Sequence, residues 1–258
     1  MIRPADDYDL YEDNKPFSIR KDKVTLRLLN KELIPPWNPN IIIRNIFDMG
    51  IYYVTGDENM IREEDIEFNN ISEEKLYEIA VNKMIKEYDI TISPAETENK
   101  IANAFLLNIE NANECNSAPN NCVSLIYPGI LKNFAEKQHS NLYILPLNIE
   151  YVYIFTETDI KRKCKAENKS KKEVLIAMEE YLQKQIEDYD NKVEIDILSR
   201  YRIPILSYKI LYYNRTYNEL YALKNGKIDK TAGKYELLPE NKQKEVPSFR
   251  IALLFVER

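Results

Sequence analysis

The chain has 258 residues, 44% of them hydrophobic and 30% charged, which is enough apolar material for a core and excludes overall disorder. The net charge of −6 is uneven: residues 1–160 carry 15 Lys/Arg against 27 Asp/Glu, while residues 161–258 carry 21 against 15. Opposite charge on the two halves favours docking between them or between subunits, and it argues against a nucleic-acid binder with a uniformly basic face.

In chain order, residues 1–19 read as an acidic tail, with Asp6, Asp7, Asp9, Glu12 and Asp13 around Tyr8 and Tyr11. A partner-binding acidic peptide is the sharper reading of the same stretch. Val24, Leu26 and Leu28 alternate with polar residues, as in a half-buried strand. Pro35, Pro36 and Pro39 break the chain around Trp37, the single tryptophan and a candidate partner anchor. Residues 51–55 form a second strand of β-branched and aromatic residues. Glu63, Glu64, Asp65 and Glu67 read as a solvated acidic face, because a calcium loop needs a glycine that this stretch lacks.

Ser72 is a helix cap, with Ile71 and Leu76 as a hydrophobic staple, and Leu76, Ile79, Ala80 and Met84 line one face to about Tyr88. A further helical stretch is expected near 97–107, and a strand at 122–127. Pro128 opens a helix carrying Ile130, Leu131, Phe134 and Ala135. Residues 142–145 and 151–156 are strands whose short connection predicts antiparallel neighbours.

Lys161, Arg162, Lys163, Lys165, Lys169, Lys171 and Lys172 place seven cations in twelve residues. No aromatic residue for base stacking interrupts them, so the run reads as a solvated helix-entry loop and a candidate interaction surface. Ser170 and Glu173 form a capping box for a helix to about Tyr189, with Val174, Met178, Tyr181, Leu182 and Ile186 inward. Residues 193–213 read as extended. Asn225-Gly226 between two short strands is a hairpin signal, and 250–256 is a last buried strand. Adjacent strands mixed with helices, without βαβ alternation, predict an α+β fold: a mixed or mainly antiparallel sheet, three or four helices and a C-terminal β extension over 224–258.

The glycines, Gly50, Gly56, Gly129, Gly226 and Gly233, are too sparse for a dinucleotide fingerprint or a Walker loop. His139 is the one histidine, so paired-histidine metal motifs are excluded, and it reads as a surface residue at a helix end. Cys115, Cys122 and Cys164 fit no zinc spacing and read as thiols in a reducing cytoplasm. No cofactor is expected. No apolar run approaches the roughly 20 residues of a bilayer span, and the acidic start is unlike a signal peptide, so a cytoplasmic protein without a membrane partner is expected.

Three stretches carry a resemblance. They are Ile71-Ser72-Glu73-Glu74-Lys75-Leu76-Tyr77-Glu78-Ile79-Ala80, the block from Tyr127-Pro128-Gly129-Ile130 through Leu142-Tyr143-Ile144-Leu145-Pro146, and Ile205-Leu206-Ser207-Tyr208 with Tyr212. Together, over residues 20–223, they resemble an uncharacterised family of anaerobic gut Firmicutes, distantly similar to YtpQ-type proteins. The resemblance implies a domain of unknown function and no activity. The Ser-Ser-x-His-Glu cluster of that family is replaced here by Leu147, Asn148, Ile149, Glu150 and Tyr151.

The sequence therefore predicts a non-catalytic binding or assembly protein, with an unknown protein partner or self-association. The alternative is a metal-dependent hydrolase of nuclease type built on Asp89, Glu98 and Lys100, since a carboxylate pair beside a lysine can hold a hard cation and stabilise phosphate charge.

Overall fold

Alternation at Val24, Leu26 and Leu28 produces the predicted strand, β1 (Thr25–Asn30), with all three side chains buried. The computed structural model describes residues 15–33, 40–56, 59–95, 103–110, 121–195 and 206–237. With β2 (Ile43–Ile46) and β3 (Met49–Val54), β1 forms an antiparallel sheet in the order β1-β3-β2. Helix α1 (Glu63–Phe68) follows, then α2 (Glu73–Glu87), which packs on β1. The Ser72 hydroxyl caps α2 by accepting the Lys75 N–H at 3.3 Å.

The larger sheet is antiparallel throughout. Its strands are β4 (Asp89–Ala95), β5 (Ala104–Glu110), β6 (Leu142–Pro146), β7 (Val152–Thr156), β8 (Leu211–Asn214), β9 (Glu219–Lys224), β10 (Lys227–Ile228) and β11 (Lys234–Glu236). Their order is β10-β9-β8-β6-β7-β5-β4, with β11 also pairing β9. All five residues of the central strand β6 are buried. Leu142 and Ile144 join the small sheet, α2 and α3 (Ile130–Lys137) in one core, whereas Tyr143 and Leu145 face Val174, Leu175, Met178 and Leu182 in a second. Those four belong to α5 (Lys171–Ile195), which lies beside α4 (Glu157–Glu167) on that face. Full burial of one such aliphatic side chain contributes roughly 1.5–3 kcal/mol. The fold is α+β, as the sequence predicts.

Several local expectations are corrected. Residues 104–107 lie in β5 and not in a helix, because pairing with β4 on one side and β7 on the other satisfies their backbone and overrides local propensity. Residues 121–126 form a buried 3₁₀ helix where a strand was expected. Asn121 and Ser124 explain it: the Ser124 hydroxyl donates to the Asn121 carbonyl, a local side-chain bond that favours a turn over a ladder. Asp65 is buried and not part of a solvated face, because its carboxylate accepts the backbone N–H groups of Phe17 (3.1 Å) and Arg62 (2.9 Å). The cations at 161–165 lie within α4, whose start is capped by the Thr156 hydroxyl accepting the Asp159 N–H. The turn before α5 is confined to Asn168, at φ 52°, through Ser170. Helix α5 itself runs to Ile195, past the expected end and into the stretch read as extended. Of the acidic tail expected over 1–19, residues 1–14 lie outside the described residues, as do Trp37, Cys115 and the 250–256 strand, whereas Phe17 and Ile19 dock through their backbone N–H groups on Asp65 and Asn69.

Two polar clamps join the layers. The Asp48 carboxylate, in the β2–β3 turn, accepts the Ser207 hydroxyl at 2.8 Å and the Tyr208 N–H at 2.7 Å. The Arg44 guanidinium of β2 grips Glu73 at the start of α2 in a fork, with Nε 2.9 Å from Oε1, while the buried Tyr53 hydroxyl donates to the same carboxylate. Burial pushes Glu73 up, but the bonds from Arg44 and Tyr53 outweigh it and hold the carboxyl below its ordinary range. Arg44 also lies 4.2 Å from the centre of the Tyr77 ring.

Candidate binding surface

The hairpin signal at Asn225-Gly226 forms as expected, and its position matters more than its existence. Both residues adopt the left-handed conformation, φ 54° and 68°, so the turn twists with its strands β9 and β10. The tip lands on the start of α5. A Cβ on Gly226 would lie 2.9 Å from the Lys172 carbonyl oxygen, so only glycine allows this approach. The Glu179 carboxylate, two turns along the helix, accepts the Gly226 N–H at 3.0 Å. Burial pushes Glu179 above its usual range, against the opposing effect of the Gly226 and Asn225 N–H groups.

This seating creates an open concavity of about 470 Å³, lined by Lys172, Lys224, Asn225, Lys227, Ile228, Asp229 and Lys230. Among the described residues no carboxylate lies within 4.0 Å of the Lys172, Lys224, Lys227 or Lys230 ammonium. Asp229 does not neutralise them. Its carboxylate is occupied by the Thr231 hydroxyl and N–H and by Lys209 at 3.5 Å, and the Thr231 bonds hold it below the usual range. Ile228 is exposed at the edge, at 43%. The first turn of α5 adds the positive end of a helix dipole beside Lys172.

The sequence-predicted surface differs from this. Lys161 lies 3.9 Å from Glu157, Arg162 is 3.1 Å from Asp159, and Lys163 is 2.5 Å from Glu167, so those cations are largely matched within α4. Lys165 is exposed. Lys171, the last but one cation of the run, pairs with Glu157 at 2.5 Å and lies 5.4 Å from the centre of the Tyr143 ring. A second concavity of about 370 Å³ between α4 and α5 carries Glu167 and Glu180 among Lys163, Lys169 and Lys184, and so has mixed charge.

Asp89 is exposed at the start of β4 and stands opposite Glu110 in the register of β5. Glu98 and Lys100, its partners in the hydrolase reading, lie outside the described residues. No group of three or more His, Cys, Asp or Glu side chains that could hold a metal ion occurs among the described residues. His139 is exposed at φ 48°, just past α3. No helix among the described residues is long and apolar enough to cross a membrane.

Three of the four concavity lysines fall in Lys-Asn-Gly-Lys-Ile-Asp-Lys, residues 224–230, and the spacing was visible in the sequence. The fourth comes from a helix some fifty residues earlier, and only the docking of the turn brings it alongside. No family model, curated protein or solved structure matches the chain.

Proposed function

We propose that the protein is a non-catalytic, cytoplasmic binding or assembly protein, and that the concavity between the 224–230 hairpin and the start of α5 receives an acidic polypeptide segment. The observation that supports this reading is the set of four lysines held around one concavity with no carboxylate of the described residues within 4.0 Å. Bringing like charges together costs free energy unless an anion joins them, and a concave arrangement concentrates their potential. Lysine suits carboxylates as a flexible point charge. Among the described residues no aromatic ring lines the concavity to stack a base, and Ile228 offers apolar contact instead, which favours a peptide over a nucleic acid.

A fluorescent polyglutamate peptide titrated into the full chain tests this. Anisotropy should rise at low salt and the affinity should fall steeply as salt is added, because screening sets in over about 8–10 Å near physiological ionic strength. Replacing Lys172, Lys224, Lys227 and Lys230 by Gln should abolish binding while leaving the circular dichroism unchanged. Absence of binding at low salt, or equal binding by a folded Gln variant, overturns the reading.

A further inference from the structure

We infer that the acidic segment received by the lysine concavity is the chain's own stretch Asp6-Asp7-Tyr8-Asp9-Leu10-Tyr11-Glu12-Asp13, an inference that rests on the reading above. Charge complementarity carries it. This stretch places five carboxylates within eight residues, and it belongs to the half with the acidic excess. The concavity supplies four ammonium groups with no carboxylate partner among the described residues, in the half with the basic excess. Tyr8, Leu10 and Tyr11 give the stretch apolar side chains to set against the exposed Ile228, so charge and apolar contact act together. The basic run of α4 is a poorer receptor, because Lys161, Arg162 and Lys163 already have carboxylates of α4 beside them.

Exposed ion pairs are individually weak and screened by salt, so the docking is reversible and salt-sensitive. The test compares the full chain with a variant carrying Asp6→Asn, Asp7→Asn, Asp9→Asn, Glu12→Gln and Asp13→Asn. Two readouts are taken at low and high salt: polyglutamate affinity, and the acetylation rate of each lysine by mass spectrometry. Lys86, exposed on α2, is the internal reference. In the wild type Lys172, Lys224, Lys227 and Lys230 should be acetylated several-fold more slowly than in the variant at low salt, and equally fast at high salt. The variant should bind polyglutamate several-fold more tightly, since the competing segment has lost its charge. Protection independent of protein concentration assigns the segment to the same copy, and protection that grows with concentration assigns it to a second copy; either supports the inference. Equal acetylation and equal affinity in the two proteins, with polyglutamate still bound, overturn the inference and leave the binding reading standing. Failure of both proteins to bind polyglutamate overturns both. Protection that persists in the variant and disappears on nuclease treatment identifies a nucleic acid as the occupant and also overturns the inference.

Discussion

The Glu179 carboxylate, in the third turn of α5, receives the Gly226 N–H from the tip of a hairpin 47 residues away, and so fixes the lysines of that hairpin against the helix. Glu179→Ala leaves those turn N–H groups without their acceptor and should destabilise the fold by about 1–3 kcal/mol. Glu179→Gln keeps an acceptor and removes the charge that burial disfavours. A carboxyl whose folded pKa lies above its unfolded value gives stability that falls as pH rises through the interval between them. That interval begins near the ordinary glutamate value of 4.5. Thermal melts from mildly acidic to neutral pH should show this fall in the wild type and a smaller one in Glu179→Gln. Equal slopes in the two proteins would contradict the assignment.

The Arg44–Glu73 fork titrates with the opposite sign. Glu73 is held below 4.5, so it contributes stability that is present above that value and is lost as pH falls through its folded pKa. Both side chains are about a quarter exposed, which places the fork between a surface pair and a buried one. Arg44→Ala should therefore cost about 2 kcal/mol, between the 0–1 of exposed pairs and the 3–5 of buried ones. A double-mutant cycle with Tyr53→Phe should show coupling, because both partners donate to the same carboxylate. Additive losses by urea denaturation would refute the coupling.

Much of the fold was legible wherever local chemistry and tertiary context agree. The Ser72 cap, the Ser170–Glu173 box and the Asn225-Gly226 turn all carry their own hydrogen bonds, so sequence alone places them. Residues 104–107 resist a reading from sequence because a short apolar run has no periodicity that separates strand from helix, and 121–126 because the local Ser124–Asn121 bond competes with a ladder. Strand β4 carries a strand signal in Ile90 and Ile92, which alternate with Asp89, Thr91 and Ser93. At the candidate surface the densest run of cations, 161–172, is the more visible signal in the sequence. Helical spacing sets Glu157 beside Lys161, Asp159 beside Arg162 and Glu167 beside Lys163, which a count of charges does not register. What makes a cation available is the absence of a neighbouring carboxylate in space, and that depends on where the hairpin lands.

The two described thiols should differ sharply in reactivity. Cys122 is fully buried, its Sγ lies 3.4 Å from the Leu28 carbonyl, and burial pushes its pKa well up. Cys164 is partly exposed on α4. Since the thiolate is the reacting form, native protein treated with an aromatic disulfide reagent should modify Cys164 in preference to Cys122. Cys122 should react only as fast as the fold opens. Comparable rates for the two, read by peptide mapping, would show that the core around β1 is looser than described.

Gly226 offers a test of the binding surface that alters no charge. Placing a side chain at its φ of 68° costs about 1–2 kcal/mol for most residues. In addition, the new Cβ would meet the Lys172 carbonyl at 2.9 Å, a backbone atom that cannot swing away. Gly226→Ala should incur both costs, whereas Gly226→Asn, tolerant of the left-handed conformation, should incur mainly the second. Either substitution must push the hairpin off the helix and so separate Lys224, Lys227 and Lys230 from Lys172. Polyglutamate affinity at low salt should drop in both variants, with net charge unchanged and a shallower dependence on salt because fewer lysines act together. If the affinity holds while the stability falls, the three hairpin lysines suffice without Lys172, and the surface is a charged turn and not a concavity built by its docking.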